Sequence, residues 1–340
     1  MNQNSPLPPS PDRQQIRAAR GPKQLVDPRK LNAQWDEFEI SNRGEVVATR
    51  VLLLAGSECR FTCTMCDLWR HTLDHATQPG DLVTQIEQSL KRPWELPSIP
   101  TTAINSPNER WVKLYNSSNF FDPYNVPTED LVPIAQLLPD FTKVIVENHP
   151  RLLLPGIPHF RDVIEGKLEI AMGLETTDPL MLKWLNKGMV LADFSKAMEQ
   201  LRHWQIDARV FLLLGLPGKS FAESLESCLQ SIAFAAEAGV RHCSIIPTRT
   251  QHGVMSQLVD SNRVPLITAH DLEFALSQMV GLWPSIITVD LWDWNSLPGH
   301  CDHCRDTRKQ RLETMCLLQE NIQLAPQRCS CYNIGKTASF

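Results

Sequence analysis

From Thr49 onward the chain alternates between two kinds of stretch. Short apolar runs rich in Val, Ile and Leu are separated by longer segments in which apolar residues recur every three or four positions. The runs predict strands at Thr49–Ala55, Val112–Tyr115, Lys143–Glu147, Leu168–Leu174, Asp207–Leu214 and Cys243–Pro247. The amphipathic segments predict helices at Asp81–Lys91, Thr128–Leu138, Pro179–Asn186, Phe194–Gln205 and Phe221–Ala238. Such alternation is the mark of a parallel α/β sheet with crossover helices. About six βα units follow one another, with a further apolar run at Ile286–Leu291 and no internal repeat. This suits a partial (β/α)6 TIM-like barrel, open on one side, whose chemistry lies at the carboxyl ends of the strands. Before the barrel, Phe38–Val47 reads as a strand or hairpin arm and Gln14–Arg20 as a short helix. Met1–Asp12, rich in Pro, Ser, Asn and Gln, reads as disordered. The expected division is an N-terminal basic, partly disordered arm over 1–40, the barrel over 41–295 and a small Cys-rich metal-binding tail over 296–340.

Composition narrows the class. The chain has 340 residues, 42% of them hydrophobic, which suits a globular protein. No run approaches a membrane span and the first twenty residues lack an apolar core, so the expectation is a cytoplasmic protein with no membrane partner. A net charge of −5 argues against a strong nonspecific grip on nucleic acid. Arg13, Arg17, Arg20, Lys23, Arg29 and Lys30 nonetheless concentrate positive charge in the arm, either as a solvated segment or as a contact for RNA. Ten cysteines in a chain of this kind point to metal or catalysis rather than to disulfides. Cys228, Cys243 and Cys316 read as buried thiols; the rest fall in two groups.

The first group lies in Ser57–Trp69, directly after the first strand: Cys59, Cys63 and Cys66, spaced C-x3-C-x2-C. Three thiolates on a short loop can hold three irons of a cubane [4Fe–4S] cluster, which normally takes four cysteines. With no fourth thiolate nearby, one iron stays open for a non-protein ligand. S-adenosylmethionine (SAM) fits that role, its amino and carboxylate groups chelating the iron while an electron from the cluster breaks a carbon–sulfur bond to release a 5′-deoxyadenosyl radical. A reductant such as a flavodoxin or ferredoxin is then a required partner. The competing reading is buried structural cysteines or zinc, but zinc wants four ligands.

The ends of the later strands carry the other candidates. Asn116, Ser117 and Ser118 follow the second strand and can hydrogen-bond a ligand's amino group, or simply form a turn before Pro123. Glu147, Asn148 and His149 end the third, where cofactor or substrate would lie. Glu175 ends the fourth and suits ribose hydroxyls. Lys187, closing the next helix, either pairs with the SAM carboxylate or caps the helix. Gly215, after the fifth, allows close approach to adenine or makes a tight turn. Arg249 and Gln251, after the sixth, suit a base edge or phosphate, or line a surface loop. The second cysteine group is Cys301, Cys304, Cys329 and Cys331, a C-x2-C followed by C-x-C. Zinc, an auxiliary iron–sulfur cluster and no metal all remain open there, and His303 or Cys316 can replace one ligand.

The cluster motif resembles that of the radical SAM superfamily. In that superfamily the residue before the last cysteine packs on adenine, here Met65. Further segments, Tyr115–Asp122, Val146–Pro150, Gly173–Thr176, Leu185–Gly188, Ser244–Gly253 and the cysteine tail, look like the branch that contains the Elongator catalytic subunit and the radical SAM subunit of archaeosine synthase. The resemblance covers roughly residues 45–331 and departs at Gly215–Gly218. It implies a radical SAM enzyme with SAM held by Met65, Asn116, Ser117, Ser118, Glu175, Lys187 and Gly215, and with a modified tRNA nucleobase as substrate contacted by His149, Arg249 and Gln251. Action on a small metabolite, cofactor precursor or peptide is the alternative, and a purely structural metal module the third.

Overall fold

The computed structural model describes residues 7–98, 104–322, 329 and 331. In chain order the elements are α1 (Arg13–Ala18), β1 (Ala33–Ile40), β2 (Glu45–Leu53), α2 (Asp81–Leu90), β3 (Ile104–Tyr115), α3 (Leu131–Gln136), β4 (Lys143–Glu147), α4 (Gly156–Val163), β5 (Lys167–Glu175), α5 (Pro179–Trp184), α6 (Leu191–His203), β6 (Asp207–Leu214), α7 (Phe221–Glu237), β7 (His242–Pro247), α8 (Gly253–Asp260), α9 (Ala269–Met279), β8 (Ile286–Val289) and α10 (Arg305–Leu318). The eight strands form one sheet in chain order. From β2 to β8 every neighbouring pair is parallel, as expected of a partial barrel.

Three features of the sheet differ from the sequence expectation. The first barrel strand begins at Glu45, because β1 pairs antiparallel with it from Ala33↔Leu53 to Ile40↔Val46 and forms a hairpin. The run at Ile286–Leu291 supplies an eighth strand, β8, beside β7. Finally, α10 packs against both edge strands, β1 and β8, and so spans the open side. Trp35 of β1 and Trp292 after β8 meet there with ring centroids 4.8 Å apart. A bidentate pair, Arg308 to Glu273 at 3.0 and 2.7 Å, ties α10 to α9.

The N-terminal segment also differs. Residues 1–6 lie outside the described residues, but from Leu7 the chain is docked. Ile16 is buried among Met181, Trp184, Leu213, Leu216 and Met255, and Trp184 Nε1 donates to the Pro8 carbonyl at 3.0 Å. A capping box between Asp12 and Gln15 starts α1. The arm's cations are committed as well: Lys23 pairs with Glu58 and Asp74 at 2.9 and 2.8 Å, Arg29 with Asp81 and Lys30 with Asp27, both at 3.3 Å. What composition presents as a basic arm is therefore largely neutralised by its neighbours.

Alternation along the strands divides the core. Val112, Leu114, Val144, Val146, Ile170, Met172, Val210 and Leu212 face outward into one cluster with the helices. Val47, Trp111, Ile145 and Ala171 face inward, with Tyr115 and Phe211 packed on them. Toward the amino ends of the strands the interior is ionic. Arg209 gives Glu39 two bonds, at 2.8 and 2.7 Å, and pairs with Glu169, whose other oxygen takes Lys143 Nζ at 2.8 Å. Lys113 pairs with Glu37 and Glu39. Lys143 Nζ lies 4.0 Å from the Trp111 ring centroid, and His242 meets Thr288 Oγ1 at 2.7 Å. Burial alone would raise the Glu169 carboxyl, but Arg209 and Lys143 outweigh it and bring it to about 2. Burial, then Arg209, lowers His242 to about 3, so its imidazole is neutral.

Candidate active site at the barrel mouth

The loop after β2 is held from three sides. From the connection after β3, Asn119 Nδ2 donates to Cys59 Sγ at 3.1 Å, and Asp122 takes Arg60 Nε and Nη2 at 2.5 and 2.6 Å. Asn125 Nδ2 reaches the carbonyls of Ser57 and Glu58 at 3.0 and 3.1 Å. From the end of α5, the Leu185 carbonyl accepts the Thr64 N–H at 2.8 Å, and Asn186 Nδ2 donates to the Thr62 carbonyl at 2.8 Å. From the N-terminal segment, Arg20 pairs with Glu58 at 2.7 Å and stacks over Trp69. A loop without regular structure keeps a fixed shape only when side chains satisfy its backbone groups in this way.

Cys63 is buried and Cys59 and Cys66 are partly so. Burial pushes all three thiols up, Cys63 to about 11. The Lys187 ammonium opposes this at Cys59 and Cys63. A bound metal cluster supplies the positive charge that reverses such a shift. Lys187 Nζ in turn meets Glu175 Oε1 at 2.7 Å, and this pair fills the space that a side chain at Gly173 would need. Two residues at the mouth take the left-handed backbone that glycine favours, Ser117 (φ 55°) and Glu175 (φ 66°). Strain of that kind persists where the surroundings enforce it, commonly at functional sites.

Beside the loop, Asn116 is 0% exposed, yet neither of its side-chain polar atoms has a partner among the described residues; Asn148 Oδ1 after β4 and Thr248 Oγ1 after β7 are also buried and unpaired there. Buried polar atoms are nearly always satisfied, by protein, ordered water or ligand, so these atoms are free to receive a polar ligand. Three thiols, an adjacent ammonium and an unpartnered amide fit a cubane cluster with a chelating amino-acid ligand.

Several expected site residues are brought together here: Cys59, Cys63, Cys66, Asn116, Ser117, Ser118, Glu175 and Lys187. Met65 packs at the edge of the mouth among the apolar residues around Ile16 and Leu216. Four others stand differently. His149 Nε2 meets the Lys187 carbonyl at 3.0 Å, Nδ1 accepts the Arg151 N–H at 3.2 Å and the ring stacks on Phe61 at 3.7 Å, so no ring nitrogen is left for substrate. Gly215 (φ 98°) abuts Ile267, and Ser224 Oγ accepts its N–H at 2.7 Å, as in a packed turn. Arg249 is held by Asp67, Asp290 and Asp293 at 3.2, 3.3 and 2.7 Å, which occupies the guanidinium meant for a phosphate. Gln251 is exposed and accepts the Thr250 N–H at 3.2 Å.

The sequence sets Glu147 at a strand end where cofactor or substrate would lie. Its carboxylate accepts the Ser117 N–H at 3.1 Å, and burial raises it to about 7. Asn119 and Asp122 fall in the Tyr115–Asp122 segment with no loop-anchoring role read for them, and Asn125 lies beyond it; the density of amides in Asn116–Asn125 is the signal that marks all three.

The tail cysteines also converge. The sulfurs of Cys301, Cys304, Cys329 and Cys331 all lie within 4.8 Å of one another, with Cys301 3.8 Å from Cys304 and 3.4 Å from Cys329. Cys228 and Cys243 are buried as expected, and Cys316 is partly buried.

No family model matches the chain. Its sequence is 27% identical over 327 residues to archaeosine synthase subunit beta of Methanosarcina acetivorans, covering 89% of this chain and 88% of that protein. It is 21% identical over 328 residues to an uncharacterised protein of Methanocaldococcus jannaschii, covering 92% and 87%. Among solved structures, methylornithine synthase shares the fold with a TM-score of 0.53 at 13% identity, over 84% of this chain and 74% of the other. The three-thiol loop follows β2 within that shared fold, and over most of its length the chain is similar in sequence to a subunit of archaeosine synthase.

Proposed function

We propose that the chain is a radical SAM enzyme that binds a [4Fe–4S] cluster through Cys59, Cys63 and Cys66, places SAM on the open iron and modifies a tRNA nucleobase in the cytoplasm. The observation that carries the cofactor reading is the buried, partnerless Asn116 beside a loop of three thiols. When bound, the cluster supplies the electron that splits SAM into methionine and a 5′-deoxyadenosyl radical. This chain's residues do the rest. Asn119 orients Cys59, Lys187 offsets thiolate charge, Asn116 and Ser118 receive the amino-acid end of SAM, and Glu175 holds Lys187 in place. The docked N-terminal segment keeps bulk water from the loop. A flavodoxin or ferredoxin serves as electron donor. The nucleobase substrate rests on the similarity to archaeosine synthase subunit beta.

A second reading, a small-molecule substrate, draws support from the neutralised cations of the N-terminal segment. Comparing modified nucleosides in RNA from a deletion strain and its parent separates the two. For the cofactors, Cys63→Ala should lose the iron–sulfur absorbance and all 5′-deoxyadenosine release under anaerobic reduction; a variant that retains both sinks the assignment.

For the tail, zinc is the reading we favour. A tetrahedral site with Zn–S near 2.3 Å has sulfur–sulfur edges of roughly 3.8 Å, and the spacings of 3.8 and 3.4 Å suit a single ion better than a cubane. About one zinc per chain should remain when the three loop cysteines are replaced.

A further inference from the structure

The carboxylates that face the barrel interior, buried or half-buried, follow one rule with one exception. Glu39 and Glu169 pair with Arg209, and Glu175 pairs with Lys187. Glu147 makes no ion pair among the described residues. It ends β4 on the same face as Lys143 and Ile145, so it points inward at the level of the mouth. It is half-buried. Its partners are backbone N–H groups, chiefly that of Ser117, and the cation whose charge acts on it, Arg249, is already shared among three aspartates. A carboxylate shielded from water without a counter-charge is costly and normally shifts toward the neutral form, as this one does. Next to it lies the unpartnered amide of Asn116.

Resting on the cofactor reading above, we infer that Glu147 is the protein's anionic partner for a positively polarised amine on a bound ligand. The amine belongs either to the amino-acid end of SAM or to the substrate. In both cases one carboxylate oxygen keeps the Ser117 N–H and the other accepts from the ligand nitrogen. Binding thereby completes the pairing that the other interior carboxylates find within the chain.

The test uses the anaerobically reconstituted full chain and its Glu147→Gln form, which keeps an acceptor for Ser117. If the amine is that of SAM, the variant binds SAM about tenfold more weakly, and binds the SAM analogue lacking the amino group as the parent does. If the amine is the substrate's, SAM binding is unchanged. In SAM-saturated protein n-propylammonium then raises the melting temperature of the parent but not of the variant, while n-propanol affects neither. Either pattern supports the inference. The cluster-free protein gives a readout independent of activity. At pH 8 Glu147→Gln should melt above the parent, because an unpaired charge has been removed. A variant that melts no higher, and binds SAM and n-propylammonium as the parent does, overturns the inference. Should the variant fail to fold, Glu147→Asp, with its charge drawn back by one methylene, serves in the binding arms. Release of 5′-deoxyadenosine by the parent is the separate control. Its absence condemns the cofactor reading, whereas intact release with binding independent of residue 147 condemns this inference alone.

Discussion

The two ends of the barrel interior are built from the same strands and are finished in opposite ways. At the amino ends, Glu37, Glu39, Lys113, Lys143, Glu169 and Arg209 balance charge for charge and hydrogen-bond one another. At the carboxyl ends, among the described residues, Asn116, Asn148 and Thr248 leave buried atoms unpaired, Glu147 lacks a cation, and Ser117 and Glu175 hold left-handed backbone. One end satisfies itself, so it closes the barrel floor and fixes the strands. The other is left incomplete, and its missing partners describe a ligand. The polar residues of the interior thus divide by whether the protein alone completes them, a better guide to function than polarity or burial taken singly.

The most damaging way to probe that contrast is at the floor. Arg209→Met leaves Glu39 and Glu169 facing each other with only Lys113 and Lys143 to share. Removing one partner from a buried ionic set costs about 3–5 kcal/mol, and Arg209 is 2% exposed, so solvent offers little relief. Anaerobic urea unfolding should read that loss, while the fraction still folded binds SAM as the parent does. Replacing Glu39 and Glu169 by Gln in the same chain should recover most of the stability. If Arg209→Met is as stable as the parent, the floor is not held by these charges.

Acid separates the two ends by sign. Glu169 is lowered in the folded chain, so its contribution is present above the ordinary carboxylate range and is lost as pH falls from about 4.5 toward 2. The size is on the order of 3 kcal/mol for a shift of that extent. Glu147 is raised to about 7, so it removes stability as pH climbs from about 4.5 through 7. The apoprotein should be most stable in mildly acidic solution. Glu169→Gln should flatten the acid limb of a melting-temperature profile. An unchanged acid limb in that variant would mean the ionic floor titrates as a unit through Glu39.

Most of the sheet was legible because strands buried on both faces read as apolar runs, and β4 and β6 fall where the pattern puts them. The helices α4, α8, α9 and α10 were not assigned. In α10, which opens Arg305-Asp-Thr-Arg-Lys-Gln-Arg, the polar residues outnumber the few that pack: Leu312 and Met315 are buried on one face with Arg308, whose pair with Glu273 stands where a wider apolar stripe would otherwise signal a helix. The floor was invisible for a related reason: Glu39, Lys113, Lys143, Glu169 and Arg209 sit on five strands, and nothing in linear order shows that they meet. At the mouth, residue type revealed the three thiols because their spacing is short and local. At His149, Gly215 and Arg249, neighbours distant in sequence engage groups that linear order leaves looking available.

The finest test replaces a residue at the open end and looks for two effects of opposite direction. Asn116→Leu keeps the branched shape of the side chain while deleting both unpartnered atoms. An amide buried without hydrogen bonds costs about 1–3 kcal/mol, and the wider leucine returns part of that through crowding near Gly56. The cluster-free protein should therefore be more stable than the parent by about 1 kcal/mol, read from urea midpoints under reducing conditions. SAM should bind the reconstituted variant at least about tenfold more weakly, since the amide that receives it is gone. A gain in stability joined to a loss of affinity is what an interior completed by its ligand requires, because the protein gives up stability to keep those atoms available. A variant that loses stability and keeps its affinity would mean that Asn116 is satisfied within the chain, and the contrast between the two ends would no longer separate function from structure.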